Sequence, residues 1–212
     1  MDTNSQKEDA GSVRQLILAT RNKHKTREFL ELMGDDFGLI DVSRLPNVAM
    51  PDETGATFQE NGILKAVAVS KLADDLVIAD DSGLEVDALD GAPGICSARY
   101  AGELASDAAN IEKLLRELTG VEDRSARFRC VIALASAGNV VGIFEGVAEG
   151  TIVDHSRGMA GFGYDPVFQP SGFNQTFGEI ASGLKNRVSH RAKAVALLRE
   201  KLHQIAVNVR RN

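Results

Sequence analysis

The run Leu76-Val77-Ile78-Ala79 is too short for a helix and contains the β-branched pair Val77 and Ile78, so it is predicted to be a buried strand of an α/β sheet. It delivers two adjacent carboxylates, Asp80 and Asp81, into Ser82-Gly83, read here as a turn. In open α/β sheets, ligands sit beyond the carboxyl ends of strands, where paired aspartates can hold a hard divalent cation or take a proton from water. Asp-Ser-Gly is also ordinary turn chemistry. On this segment alone both readings stand.

A chain of 212 residues fits one large domain or two small ones, and 43% hydrophobic content supports a normal core. The formal net charge of −6 argues against a protein that grips nucleic-acid backbone, which needs a broad basic surface. Any bound anion must then meet a local basic cluster. No stretch approaches the ~18 to 20 consecutive apolar residues of a membrane span. The N-terminus lacks the basic and apolar regions of a signal peptide, so a cytosolic protein without membrane contact is expected. Cys96 and Cys130 lack CxxC or metal-ligand spacing and are expected to be buried free thiols.

Residues 1–14 are polar and aperiodic, as in a disordered leader or an expression remnant. Order is expected from a strand at Gln15 to Thr20, then a helix from Lys23 to Met33 that buries Phe29, Leu30 and Leu32 and stops at Gly34. Thr57 and Glu60, spaced as a capping box, announce a second helix with Leu64, Ala68 and Leu72 on one face. A third starts near Ser106 and packs Ile111, Leu114, Leu115 and Leu118 before Gly120. Strands Ala126 to Ala135 and Val140 to Ala148 flank the turn-like Ala137-Gly138-Asn139 as a hairpin, and a last helix carries Val195, Leu198, Leu202 and Ile205. No repeat or linker marks a domain boundary, so residues 15–207 are expected to be one domain with a short tail at 208–212.

Two further segments carry chemistry. In Arg21-Asn22-Lys23-His24-Lys25-Thr26-Arg27, five of seven side chains are basic in type and crowd a helix start. A helix N-terminus carries roughly +0.5 charge, so cations there are unfavourable unless a polyanion binds. Thr20 and Asn22 can offer a hydroxyl and an amide to phosphate oxygens, with Lys25 as a compact charge. The alternative is a solvated basic face with Asn22 as the helix cap. No GxxxxGK[ST] is present, which excludes a Walker-type phosphate loop.

In the glycine-rich stretch from Gly158 to Pro166, Phe162 between Gly161 and Gly163 can lie flat against a planar ligand such as a purine, although Tyr164 can equally fill core. Lys185, Ser189, His190 and Arg191 follow within seven residues. They could read a base edge or hold phosphate, or form a capped helix start with a wet basic surface.

The order and the whole set of these motifs resemble the Ham1-like, or inosine triphosphate pyrophosphatase, family. The residues that carry the resemblance are Thr20 to Lys25, then Glu53-Thr54-Gly55 with Thr57-Phe58, Glu60-Asn61 and Lys65-Ala66. They continue with Ala79 to Leu84, Gly91 to Gly94 with Ser97 to Tyr100, Gly161 to Pro166, and Lys185 with Ser189-His190-Arg191, together spanning roughly Gln15 to Leu202. The resemblance implies a long mixed β-sheet with flanking helices in two lobes, the active site in the cleft between them, assembled as a homodimer.

It further implies a magnesium-dependent hydrolase that cuts ITP, dITP and XTP between the α and β phosphates, cleansing the nucleotide pool. In that mapping Thr20, Arg21, Asn22, Lys23, His24 and Lys25 hold the triphosphate, Asp81 is the catalytic base and a magnesium ligand, and Ser82 contacts substrate. Asp52 and Glu53 supply a further metal ligand. Phe162 stacks on the base, Gly163, Tyr164 and Asp165 line its pocket, and Lys185, His190 and Arg191 complete the nucleotide site. Asp80 is assigned only a supporting role, and repulsion between the adjacent aspartates is expected to raise a carboxyl pKa.

Three positions depart from the family pattern: Arg21 where Gly is common, Asp52 where Glu is commoner, and His24 where a small residue is frequent. The rival readings are a Maf-like pyrophosphatase acting on other nucleotides and a binding-only nucleotide sensor.

Overall fold

The structure, a computed structural model, describes residues 15–45 and 48–209, with side chains to residue 207. The expected leader, 1–14, and residues 210–212 of the expected tail lie outside the described residues. The sheet has the order β2-β1-β3-β4-β5-β6, formed by β1 (Gln15–Leu18), β2 (Gly38–Asp41), β3 (Leu76–Val86), β4 (Ser125–Ser136), β5 (Asn139–Ile152) and β6 (Phe168–Pro170). β2, β1 and β3 run parallel, whereas β3 to β6 pair antiparallel, so the sheet is mixed.

The helices are α1 (Lys23–Met33), α2 (Phe58–Ser70), α3 (Asp107–Glu117), α4 (Ser182–Val188) and α5 (His190–Val209). On one face of the sheet, Phe29 and Met33 of α1 and Val195, Leu198 and Leu202 of α5 cover Leu16, Leu18, Ile78 and Ile132. On the other, Ala66 and Val69 of α2 cover Ile17, Val77, Ala79 and Ala133. A third core gathers Leu84, Val86, Leu114, Phe128, Phe168 and Phe177 at the far end of the long strands. Strand alternation explains the first two cores, because neighbouring residues of one strand face opposite sides.

The expected turn at Ser82-Gly83 is absent: β3 continues through Asp80, Asp81, Ser82 and Gly83 to Val86. β4 pairs with it from Val77 to Val86, which satisfies the backbone groups that a turn would have redirected. Its parallel neighbour β1 instead stops at Leu18, opposite Ile78, so the aspartates lie where β1 has ended. Gly83 is needed for close approach, since a Cβ there would lie 2.5 Å from the Gly94 carbonyl oxygen.

Other expectations shift in detail. The strand predicted to reach Thr20 ends at Leu18, and the hairpin strands are longer than expected. Leu30 is exposed; Phe29 and Met33 are the fully buried residues of α1. In α2 the predicted face is also wrong, because Leu64 and Leu72 are exposed while Phe58, Asn61, Lys65, Ala66 and Val69 are buried. The helix turns a partly polar face inward because Asn61 and Lys65 have partners on β3. Cys130 is buried as expected, but Cys96 is exposed. The capping geometry holds for Thr57, whose hydroxyl accepts from the Glu60 amide, and Glu60 reaches back to the Ala56 amide at 2.6 Å.

Candidate active site

A cleft of about 650 Å3 opens where β1 stops, bordered by Thr20 to Asn22, Lys25, Asp52, Glu53, Lys65 and Asp81 and by Phe162 to Asp165, Lys185, His190 and Arg191. β1 carries the chain to Thr20, and the Asn22 side chain caps α1 by accepting from the His24 and Lys25 amides at 2.9 and 3.2 Å. The capping alternative for Asn22 is therefore the observed one. Thr20 Oγ1 accepts from the Asn22 amide at 3.2 Å, and exposed Arg21 donates to the Val48 carbonyl at 3.0 Å. Lys25 reaches inward to Asp80 at 3.1 Å. Lys23 and His24 are not among the residues that border the cleft.

The two aspartates part company at β3. Asp81 Oδ1 accepts from Lys65 Nζ at 3.0 Å and Oδ2 accepts from Asn61 Nδ2 at 3.3 Å, both from α2. Lys65 also donates to Glu53 at 2.7 Å. Burial pushes the Asp81 carboxyl above its ordinary range, with Lys65 and Lys25 opposing. Its shift therefore comes chiefly from desolvation rather than from the expected repulsion by Asp80. Burial also works against the Lys65 charge, but Asp81, Asp80 and Glu53 outweigh it and hold the ammonium protonated.

Asp80 serves the opposite face. Its Oδ2 accepts from Arg191 at 3.1 Å and from Ser82 Oγ at 3.1 Å as well as meeting Lys25. Burial alone would raise its pKa, but Lys25 and Arg191 drive it well below the carboxylate range. Arg191, 1% exposed, also donates to Ser82 Oγ at 2.8 Å and pairs with Glu28 of α1. Glu28 meets Lys185 at 2.7 Å, and Lys185 meets Asp165 at 2.6 Å. Lys185 stays charged because Asp165 and Glu28 outweigh its desolvation, so the alternative of a wet basic surface gives way to a buried ion network.

In the glycine-rich loop, Asp165 Oδ2 accepts from the Phe162 amide at 2.9 Å, and Asp107 of α3 accepts from the Gly163 amide at 2.6 Å. These bonds fix the loop that presents the half-buried Phe162 ring. Tyr164 is 3% exposed and donates to the Ser97 carbonyl at 2.9 Å, which makes it core as well as wall. His190 stacks on Phe128 with centroids 4.7 Å and planes 12° apart. Burial first, then Arg191 and Lys185, lower its pKa well below 6.5, so it is neutral and not part of a basic cluster. It is set close to the sheet because α5 packs against Gly146, where a Cβ would stand 2.1 Å from the His190 carbonyl oxygen.

The structure thus unites Lys25, Ser82, Asp165, Lys185 and Arg191 through Asp80 and Glu28, and unites Glu53 with Asp81 through Lys65. Glu28, Asn61 and Lys65 carried no assigned role in the sequence. Asn61 and Lys65 gave one signal, their place among the residues that carry the family resemblance; Glu28 gave none. Among the described residues no group of three or more His, Cys, Asp or Glu side chains stands ready for a metal. Glu53 and Asp81 nevertheless converge on one ammonium, and one or two carboxylates suffice for magnesium that arrives with substrate phosphates and its own waters. The donor set fits that cation; exposed Asp52 lies on the cleft border without sharing Lys65.

Residues 16–201 match the Ham1 family. A dITP/XTP pyrophosphatase of Bacillus licheniformis is 50% identical over 198 residues, covering 91% of this chain and all of that one. The dITP/XTP pyrophosphatase of Bacillus subtilis is 47% identical over 191 residues, 88% of this chain and 96% of its own. Among solved structures, the Staphylococcus aureus Ham1 protein superposes with a TM-score of 0.81 at 43% identity, over 90% of this chain and 99% of that chain. A HAM1 protein from Coxiella burnetii gives 0.82 at 41% identity over the same shares. With the fold, the cleft and these likenesses in agreement over nine-tenths of its length, the chain belongs to the Ham1 family.

Proposed function

We propose that this protein hydrolyses deaminated purine nucleoside triphosphates, ITP, dITP and XTP, to nucleoside monophosphate and pyrophosphate, and so cleanses the nucleotide pool. The observation that carries the reading is one cleft bordered both by Lys25 and the Asp81–Lys65–Glu53 cluster and by Phe162 with Lys185, His190 and Arg191. Relatives that match the chain almost end to end bear the name dITP/XTP pyrophosphatase.

In this reading the purine stacks on Phe162 and the phosphates run toward Lys25 and Arg21. Asp81 accepts the proton of the attacking water. Lys65 opposes the burial that favours the protonated form of that carboxyl. Asp81 and Glu53, with Asp52 within the same loop, would hold magnesium, which supplies charge neutralisation on the phosphates when bound. Fixed positive charge from Lys25 does part of the same work from the α1 side.

Selection of a 6-oxo purine follows from donors that lack partners among the described residues. Arg191 Nε is buried without one, and so is His190 Nδ1, a donor in one of the two tautomers of the neutral ring. Lys185 has three N–H groups and two bonded partners. A 6-oxo group accepts from such donors, whereas a 6-amino group leaves them unpaired, a mismatch that can cost several orders of magnitude in rate. The remaining guanidinium nitrogens of Arg191 are committed to Glu28, Asp80 and Ser82, so its larger share is structural.

The test is pyrophosphate release from ITP, dITP, XTP, GTP and ATP, with magnesium and with chelator. ITP and XTP should far exceed ATP, and chelation should stop the reaction. Equal rates on ATP and ITP, or release of inorganic phosphate, would sink the reading. Family resemblance also underlies our assignment of a homodimer in the cytosol, for which sedimentation and fractionation are the checks. No described helix is long and apolar enough to cross a membrane.

A further inference from the structure

Six lysine and arginine side chains border the cleft: Arg21, Lys25, Lys65, Arg99, Lys185 and Arg191. Five of them meet a carbonyl or carboxylate oxygen at 3.1 Å or less. Arg99 is the exception. Among the described residues its nearest carboxylates, Glu103 and Glu53, stand 3.6 and 3.9 Å away, too far for a hydrogen bond. Glu103 is 85% exposed, so that pair is a screened surface contact that yields at little cost. A planar fork of five N–H donors thus stands at the cleft with no protein acceptor bonded to it.

The backbone that carries this fork is held on both sides. Arg99 closes the 3-10 turn Gly94–Arg99. Before it, the Ser97 carbonyl accepts from Tyr164 at 2.9 Å and the Ala98 carbonyl accepts from the buried Asn110 at 3.2 Å. After it, the Tyr100 carbonyl accepts from Lys113 at 2.8 Å and the Ala101 amide donates to Asn110 at 2.7 Å. Only the Arg99 side chain itself therefore has to order when an anion binds. Its Nη1 faces Glu53 Oε2, while Glu53 Oε1 takes Lys65, the partner of Asp81. Arg99 stands beside the acid cluster that the reaction uses.

We propose that Arg99 binds the pyrophosphate leaving group. The inference rests on the purine-triphosphate reading above and adds a residue to which that reading gives no role. As water attacks the α phosphorus, its proton passes to Asp81, the bond from that phosphorus to the bridging oxygen of the β phosphate breaks, and the electron pair departs on pyrophosphate. The leaving group gains negative charge in this step, and a guanidinium fork can meet two of its oxygens at once. Inosine monophosphate keeps only the α phosphate, so Arg99 distinguishes the two products.

The test follows formation of inosine monophosphate from ITP by the full chain and its Arg99→Ala and Arg99→Lys variants, at fixed free magnesium, with added inorganic pyrophosphate as inhibitor. Arg99→Ala should raise the inhibition constant of pyrophosphate about ten- to a hundredfold, the scale of a hydrogen bond between charged groups, and lower kcat. Arg99→Lys keeps the charge without the fork and should fall between. The Kd of inosine monophosphate, measured by calorimetry, should be the same in all three proteins. Unchanged inhibition by pyrophosphate, equal weakening of pyrophosphate and inosine monophosphate, or a defect that excess magnesium repairs, which would mark a residue acting only through Glu53, overturns the inference and leaves the functional reading intact. A parent protein that forms no inosine monophosphate from ITP overturns both.

Discussion

Asp80 and Asp81 are consecutive in sequence, yet their carboxylates serve opposite faces of the sheet: Asp80 meets Lys25 and Arg191 on the α1 and α5 side, and Asp81 meets Lys65 and Asn61 on the α2 side. The pleat of β3 imposes this separation. Asp80 becomes a permanently ionised anchor for two cations, while Asp81 is left with the raised pKa of a buried acid held in check by one lysine. Two adjacent carboxyl groups thus acquire different jobs from their surroundings alone.

Asp81→Asn should reduce pyrophosphate release from ITP by about two to four orders of magnitude, since an amide cannot accept the proton. Circular dichroism and the unfolding midpoint should remain near those of the parent, because Asn can still pair with Asn61. Retained turnover in this variant would remove Asp81 from the mechanism.

Lys65→Met should shift the pH dependence of turnover. Lys65 lowers the Asp81 pKa against burial, so its removal raises that pKa and the basic form disappears at higher pH. The acid limb of kcat should therefore move alkaline, with a loss of about tenfold or more near neutrality. A pH profile superimposable on the parent's would show that Lys65 does not govern the base.

Arg191→Ala should destabilise the fold by about 3 to 5 kcal/mol, because Asp80 and Glu28 keep buried charges after their shared partner is gone. Urea unfolding at neutral pH reads this directly. A change confined to selectivity between ITP and ATP, with stability intact, would mean that the guanidinium serves the base and not the network.

Stability should fall as pH drops below about 6.5 because of His190. Its folded pKa lies well below the unfolded value, so the unfolded chain takes up a proton that the native protein refuses. Each pH unit in that window costs about 1 kcal/mol until the folded pKa is reached. Denaturant midpoints measured at about pH 7.5 and about pH 5.5 should differ in the parent and differ less in His190→Gln. An equal loss in both proteins would assign the acid sensitivity to other groups.

The local elements were legible in the sequence wherever short-range physics decides them. Lys23 to Met33 reads as a helix from its apolar spacing, Asn22 and Gly34 bound it, and the Ala137-Gly138-Asn139 turn announces the β4–β5 hairpin. The motif set from Thr20 to Arg191 also carried the family, because residue types in a fixed order survive without coordinates. Three-dimensional neighbours decided the rest. Ser82-Gly83 looks like a turn until a ten-residue ladder with β4 absorbs its backbone groups, and Leu64 and Leu72 look like core until Asn61 and Lys65 claim the inward face of α2.

Glu28 shows the same limit most plainly. It holds Lys185 and Arg191, more than 150 positions away in the chain, and nothing within its own helix signals that role. Periodicity and capping act over a few residues, so the sequence alone determines them. Charge pairing and desolvation act over a few ångströms, so which carboxylate anchors and which reacts was decided only when the chain had folded.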